Sequence, residues 1–244
     1  MQAILMAAGV GNRISESINC PKSTLEVDGK PLIRRTVEML LNNDIKVSIV
    51  VGYMKDAIVK TLEGLDVNYY YNPFFQVTNS MGSLWFAREA LENDEDTILG
   101  NADVFWQEDI LDLLINNSHD AVMLADKSRV DVGDYFFRTQ DGIIVAYGKE
   151  LKREERDCEY VGLARLKAGF IEGFKKRVDN CVSRELYDLW WENVLYIYSG
   201  EYPVHVQDVD GRFWGEIDYV SDYNRILEHF GLPDFKSENS VPLK

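Results

Sequence analysis

A four-residue apolar run that stops on a pair of glycines constrains this chain more than any other feature. Ala3-Ile4-Leu5-Met6 leads directly into Ala7-Ala8-Gly9-Val10-Gly11-Asn12-Arg13, and Pro21-Lys22 follows. A short apolar run bounded by glycine reads as a buried strand. The turn behind it leaves backbone N–H groups unpaired and lets a ligand approach the main chain closely. Arg13 and Lys22 add positive charge to that concavity. The combination predicts a polyphosphate cradle at the carboxyl end of the first strand of an α/β sheet.

The rest of the chain repeats a strand–helix rhythm. Pro31 opens a helix carrying Ile33, Val37, Leu40 and Leu41 at helical spacing, after the turn signal Asp28-Gly29. Strands are predicted at 47–51, 67–71, 97–100 and 121–125. Helices are predicted around 57–62, from the end of the 72–82 loop through Leu91, and over 108–116. This alternation implies parallel crossovers and a three-layer α/β/α sandwich with a mostly parallel central sheet. After residue 126 the rhythm changes. A hairpin is expected at 134–149 around Gln140-Asp141-Gly142, an exposed charged segment at 149–157 and strands at 160–165 and 204–209. Helices are expected at 167–177, 184–198 and 219–230, and a frayed tail from Pro233. With no repeat or linker, the 244 residues read as one domain. A nucleotide half spans about 1–125, an acceptor half about 126–230, and a tail 233–244.

Charge narrows the partners. There are 26 Lys and Arg against 41 Asp and Glu, a net charge of −15. That argues against nucleic acid and anionic membrane surfaces. Residues 1–35 nevertheless carry five cations against three anions, as suits a small anionic ligand. Cys20, Cys158 and Cys181 form no C-x-x-C pair and read as free thiols of a reducing compartment. No apolar run is long enough to span a membrane, and no basic region precedes the first apolar run. The cytoplasm is therefore the expected location. The sequence does not specify an oligomeric state; a homodimer is compatible with it.

The glycine loop is not a dinucleotide turn, because Ile14 stands where a third glycine would be, and no Gly-Lys-Ser/Thr of a Walker loop occurs. The fuller pattern is G-x-G-x-R, then Pro21-Lys22, then Gly29-Lys30-Pro31-Leu32. It resembles the signature of the nucleotidyltransferase superfamily, which joins a nucleoside triphosphate to a phosphorylated acceptor and releases pyrophosphate. The resemblance implies a Rossmann-like fold of the nucleotide-diphospho-sugar transferase type. It also implies that Arg13 and Lys22 hold the triphosphate, with Ala7, Ala8, Gly9, Gly11 and Asn12 as the backbone cradle. In-line attack on the α-phosphorus brings two anions together, so charge neutralisation and alignment are the chemistry required. A point-charge lysine near the α-phosphate and a forked arginine on the β- and γ-phosphates suit those roles.

A Mg²⁺ ion would take one or two carboxylates besides phosphate oxygens and waters. Asp103, just past the strand at 97–100, would face the ligand crevice. The resemblance implies Asp103 and Asp218 as the metal pair, with Glu216 as the rival ligand and Asp103 also counted as catalytic. Thr78 to Ser83, before a helix, suits contacts to a base, with Asn79 and Ser83 the expected residues. Tyr135, Phe136, Phe137, Trp190, Trp191 and Trp214 supply the aromatic faces an alkyl-ammonium acceptor needs.

The order of these segments along nearly the whole chain resembles bacterial CTP:phosphocholine cytidylyltransferases. By position that family's aromatic and acidic acceptor box falls on Tyr135, Asp188, Trp190 and Trp191. The usual Asp-Ala-Asp of the family is Asn101-Ala102-Asp103 here. The expected reaction is transfer of CMP from CTP to phosphocholine or a similar small phosphorylated amine. A sugar-1-phosphate nucleotidyltransferase and a non-catalytic nucleotide-binding regulator are the alternatives.

Overall fold

The computed structural model describes residues 1–11, 13–14, 18–92 and 94–235. The expected contact of Asn12 and most of the expected frayed tail lie outside the described residues.

In chain order the first half holds β1 (Gln2–Ala7), β2 (Glu26–Val27), β3 (Lys30–Pro31), α1 (Leu32–Asn42), β4 (Lys46–Val51), α2 (Lys55–Thr61), β5 (Val67–Tyr71), α3 (Ser80–Phe86), β6 (Thr97–Asn101), β7 (Val104–Phe105), α4 (Glu108–Ile115) and β8 (Ala121–Asp126). The second holds β9 (Phe136–Gln140), β10 (Ile143–Gly148), β11 (Cys158–Leu166), α5 (Ala168–Ser183), α6 (Asn193–Ile197), β12 (His205–Asp208), β13 (Gly215–Glu216) and α7 (Val220–His229). Nine strands form one sheet in the order β5-β4-β1-β6-β11-β8-β12-β10-β9. Only β10 and β11 run against the other seven.

All six residues of β1 are buried, as a central strand covered on both faces requires. Ala3, Leu5 and Ala7 pack on one face with Ile33, Val37 and Leu40 of α1, Ile58 of α2 and Ile110 and Leu114 of α4. Ile4 and Met6 pack on the other with Met81 and Leu84 of α3, Phe174 and Val178 of α5, and Val194 of α6. The fold is thus an α/β sandwich of three layers. A third cluster ties Ile14, Leu25 and Val27 to Phe105, Ile217, Tyr223 and Ile226. It anchors the glycine loop to α7, although the two lie far apart in sequence.

The structure differs from expectation in several places. The strand at 121–126 is not bonded to β6, because β11 lies between them, antiparallel to both. The helix expected at 184–198 is reduced to α6. Its first part is held in irregular turns against the start of α3, where Asn79 N donates to Tyr187 O (3.0 Å) and Met81 N to Leu189 O (3.0 Å). The helix through Leu91 stops at Phe86 and gives way to a single 3₁₀ turn, Arg88–Ala90. The short pairs β2–β3 and β7–β13 were not foreseen. Among the described residues no helix is long and apolar enough to cross a membrane.

Candidate active site

At the carboxyl end of β1, Gly11 takes a left-handed conformation (φ +68°), and a Cβ there would lie 2.8 Å from Lys22 Cγ. The second glycine is therefore required by the lysine that crosses over it. Lys22 opens a 3₁₀ turn after Pro21. Its ammonium sits 2.6 Å from Asp103 Oδ2 and 2.8 Å from Asp218 Oδ1. Burial draws its pKa down, but the two carboxylates outweigh that and hold it above the ordinary lysine range, so Lys22 stays charged. Arg13 pairs with Asp218 and lies 3.4 Å from Asp134 Oδ2.

Asp103 and Asp218 meet because of a two-stranded ribbon. β7 pairs with β13 antiparallel, Val104 opposite Glu216, and Ile217 N donates to Asp103 O at 3.0 Å. The aspartates therefore emerge on adjoining strands beside Lys22. Burial, reinforced by the charges of Asp103 and Asp218, pushes the Glu216 carboxyl well above the usual carboxylate range.

These groups line one cavity of about 300 Å³, together with Ala7, Ala8, Gly9, Asn79, Ser83 and Asn101. Ser83 Oγ accepts from the amide of Asn72 (3.0 Å), which is wholly buried. The Asn79 side chain accepts from Ser80 N (2.8 Å) at the start of α3. Every described residue expected at the nucleotide end is thus brought to the same cavity.

The acceptor end is different. Tyr135 and Trp190 line the cavity and meet edge to face, their centroids 5.7 Å apart. Trp191 does not: it is fully buried, its backbone N–H donates to Ser80 Oγ (2.9 Å) and its indole N–H to Asn101 Oδ1 (3.0 Å). Asp188 is exposed and outside the lining. The lost helix accounts for both: bonds to Ser80 and Asn101 draw Trp191 into the core and leave Trp190 on the cavity side. Several lining residues were not singled out from sequence, among them Lys149, Tyr160, Glu192 and Tyr196. Lys149 stands at the end of β10, pairs with Asp134 (2.6 Å) and lies over the Trp190 ring. Glu192 directly follows the tryptophan pair, which was the one available signal. Burial pushes its carboxyl up to about 7.

Asp103 and Asp218, with Glu216 behind them, are the residues that could hold a divalent cation. All are hard oxygen donors, and the two aspartates already converge on one cation, the Lys22 ammonium. This set fits Mg²⁺, which needs few protein carboxylates when phosphate oxygens and waters complete its shell. Among the described residues no group of three or more His, Cys, Asp or Glu side chains is placed to hold an ion alone.

Comparison with known proteins agrees with this architecture. Residues 3–180 match the family described as the MobA-like NTP transferase domain. The chain is 24% identical to the CTP:phosphoglutamine cytidylyltransferase of Campylobacter jejuni, covering 93% of this chain and all of the relative. It is 26% identical to the choline-phosphate cytidylyltransferase of Streptococcus pneumoniae, covering 93% of this chain and 97% of the relative. The solved structure of the CTP:phosphocholine cytidylyltransferase LicC from Streptococcus pneumoniae superimposes with a TM-score of 0.75 at 25% identity. That match covers 94% of this chain and 98% of LicC.

Proposed function

The chain belongs to the MobA-like NTP transferase family and is a nucleotidyltransferase, and on that premise we propose that it transfers CMP from CTP to a small phosphorylated amine. The observation that carries the reading is Lys22, held between Asp103 and Asp218 in a cavity whose other end is aromatic and acidic. The full-length relatives named above share CTP as donor and differ in acceptor, which supports cytidylyl transfer over the choice of any one acceptor.

Each charged group has a task in that reaction. The backbone of Ala7 to Gly11 and the Arg13 guanidinium receive the triphosphate, displacing the carboxylates that neutralise Arg13 in the free protein. Lys22 balances the charge that grows on the α-phosphate as the acceptor oxygen attacks. The acceptor phosphate needs a cation of its own. Arg13, Lys22 and Lys149 are the cations lining the cavity, and Lys149 is the one on the acceptor side. A Mg²⁺ bound by Asp103 and Asp218 would neutralise phosphate charge and favour departure of pyrophosphate. Asn79 and Ser83 are positioned for the base and ribose. No covalent nucleophile is needed, because positioning and charge supply the catalysis.

The test is a pyrophosphate-release screen with Mg²⁺, four nucleoside triphosphates and a panel of phosphorylated amines, aminoalkylphosphonates and sugar 1-phosphates. Release with CTP and a phosphorylated amine is expected. Release confined to a sugar 1-phosphate would replace this reading with the sugar nucleotidyltransferase.

A further inference from the structure

The aromatic rings at this end of the cavity pack on one another and on Lys149. Tyr147 stacks on Tyr196 with centroids 4.3 Å apart, and Tyr135 stacks on the same ring at 5.8 Å. The Tyr135 ring also meets the edge of Trp190. The Trp190 face carries the Lys149 ammonium, 5.4 Å from its centroid. A quaternary ammonium binds through open ring faces, and a second cation brought to the Trp190 face would meet Lys149 as a like charge.

What the cavity offers instead is hydrogen-bonding capacity. The hydroxyl of Tyr196 is buried and has no hydrogen-bond partner among the described residues, and that of Tyr160 is buried against the Glu192 carboxyl. Burial and the nearby Glu192 carboxyl both keep these phenols protonated. Glu192 itself is buried, with the Asn101 amide at 3.4 Å and the Tyr160 hydroxyl against it. A buried carboxyl and the buried, unpartnered Tyr196 hydroxyl in a ligand cavity call for a partner, since leaving such groups unpaired is unfavourable. A trimethylammonium has no N–H to give them. A primary ammonium has three, and its charge would complement Glu192.

We infer that the acceptor's far end is an ammonium bearing N–H groups, as in a phosphorylated or phosphonate primary amine, and that Glu192 is the residue that selects it over a quaternary ammonium. The inference rests on the cytidylyltransferase reading. In it Tyr196 accepts from the same ammonium, while Lys149 remains on Trp190 facing the acceptor phosphate. Trp190 then serves as a platform for the lysine and not as a wall of a choline cage.

An N-methylation series tests this directly: CTP and Mg²⁺ with phosphoethanolamine and its mono-, di- and trimethyl derivatives, following pyrophosphate. kcat/KM should fall with each methyl, by at least about tenfold from first to last, the size of a lost charge-assisted hydrogen bond. Glu192→Gln, nearly isosteric, should flatten the series by lowering the primary-amine value about tenfold or more, with KM for CTP unchanged. Tyr196→Phe, which keeps the ring stack, should lower the primary-amine value more than the trimethyl value. A wild-type preference for the trimethyl acceptor overturns the inference and leaves cytidylyl transfer standing. An unchanged slope in both variants assigns the selection elsewhere and overturns it as well. Pyrophosphate release with a sugar 1-phosphate and with no member of the series overturns the amine reading itself.

Discussion

The two ends of the cavity are built in opposite ways. The phosphate end is one continuous stretch, β1 with its glycine loop and Lys22, completed by two aspartates on a short ribbon. The acceptor end is gathered from the 134–149 hairpin, from β11 and from the segment that leads into α6. The first end has mutually paired charged groups. The second has buried polar groups, with Glu192 pushed up to about 7 and an unpartnered phenol, Tyr196. An anion that every reaction of this kind shares can be held by a fixed loop. An acceptor that varies is met by a surface whose parts come from separate elements.

The largest expected effect lies at the phosphate end. Lys22→Ala should lower turnover by about 10³-fold or more, the scale seen when a preorganised charge facing the transition state is removed, while circular dichroism stays native. Turnover within tenfold of the parent would break the contrast, since the charge would then not be essential.

The next test separates the two tryptophans. Trp191→Ala removes a fully buried ring and should destabilise the fold by about 3–5 kcal/mol in denaturant melts, affecting both substrates alike. Trp190→Ala should leave the melt nearly unchanged and raise KM for the acceptor alone. Equal behaviour of the two variants would show that the acceptor end does not divide between core and cavity as described.

A smaller effect concerns pH. The folded-state pKa of Glu192 is raised by burial, so the native protein holds a proton that the unfolded chain releases near pH 4.5. Its contribution to stability is complete below that pH and is lost as pH rises through about 7. Relative to Glu192→Gln, the parent should lose on the order of 3 kcal/mol between pH 4.5 and 8. A parallel pH dependence of the two melts would show that this carboxyl is not desolvated. Smaller again, Gly11→Ala should reduce stability by about 1–2 kcal/mol through its positive φ and displace Lys22, weakening CTP binding before acceptor binding. An unchanged affinity for CTP would free the glycine from its tie to the lysine.

The contrast also explains what could be read from sequence. Arg13, Lys22 and the glycines lie within sixteen residues, and the strand before them is buried along its whole length, so local pattern sufficed. Asp103 was legible from its place just past a predicted strand, but its pairing with Asp218 only through resemblance, because the ribbon that joins them has two residues per strand and no periodicity to detect. The acceptor end misled for a different reason. Residues 184–198 carry apolar side chains at helical spacing, yet hydrogen bonds to the start of α3 hold 187–191 in irregular turns. Tertiary contact outweighed local preference, and with the helix went the expected roles of Asp188 and Trp191. Lys149 and Tyr160 gave no local signal, since their place depends on β11 lying between β6 and β8 and on the hairpin that meets it.

The β7–β13 ribbon has a consequence for the order in which the molecule is made. Lys22 and Asp218 are 196 residues apart, so a chain growing from its amino end displays the lysine long before its aspartate exists. During synthesis β1, β4, β5 and β6 can associate while Lys22 and Arg13 still lack their Asp218 counter-charge. The cavity closes only when the segment around Asp218 leaves the ribosome and pairs with β7. A nascent chain stalled before that point would carry the phosphate-binding loop without its completed site, and the ribbon thereby makes catalytic competence a late event in the life of each molecule.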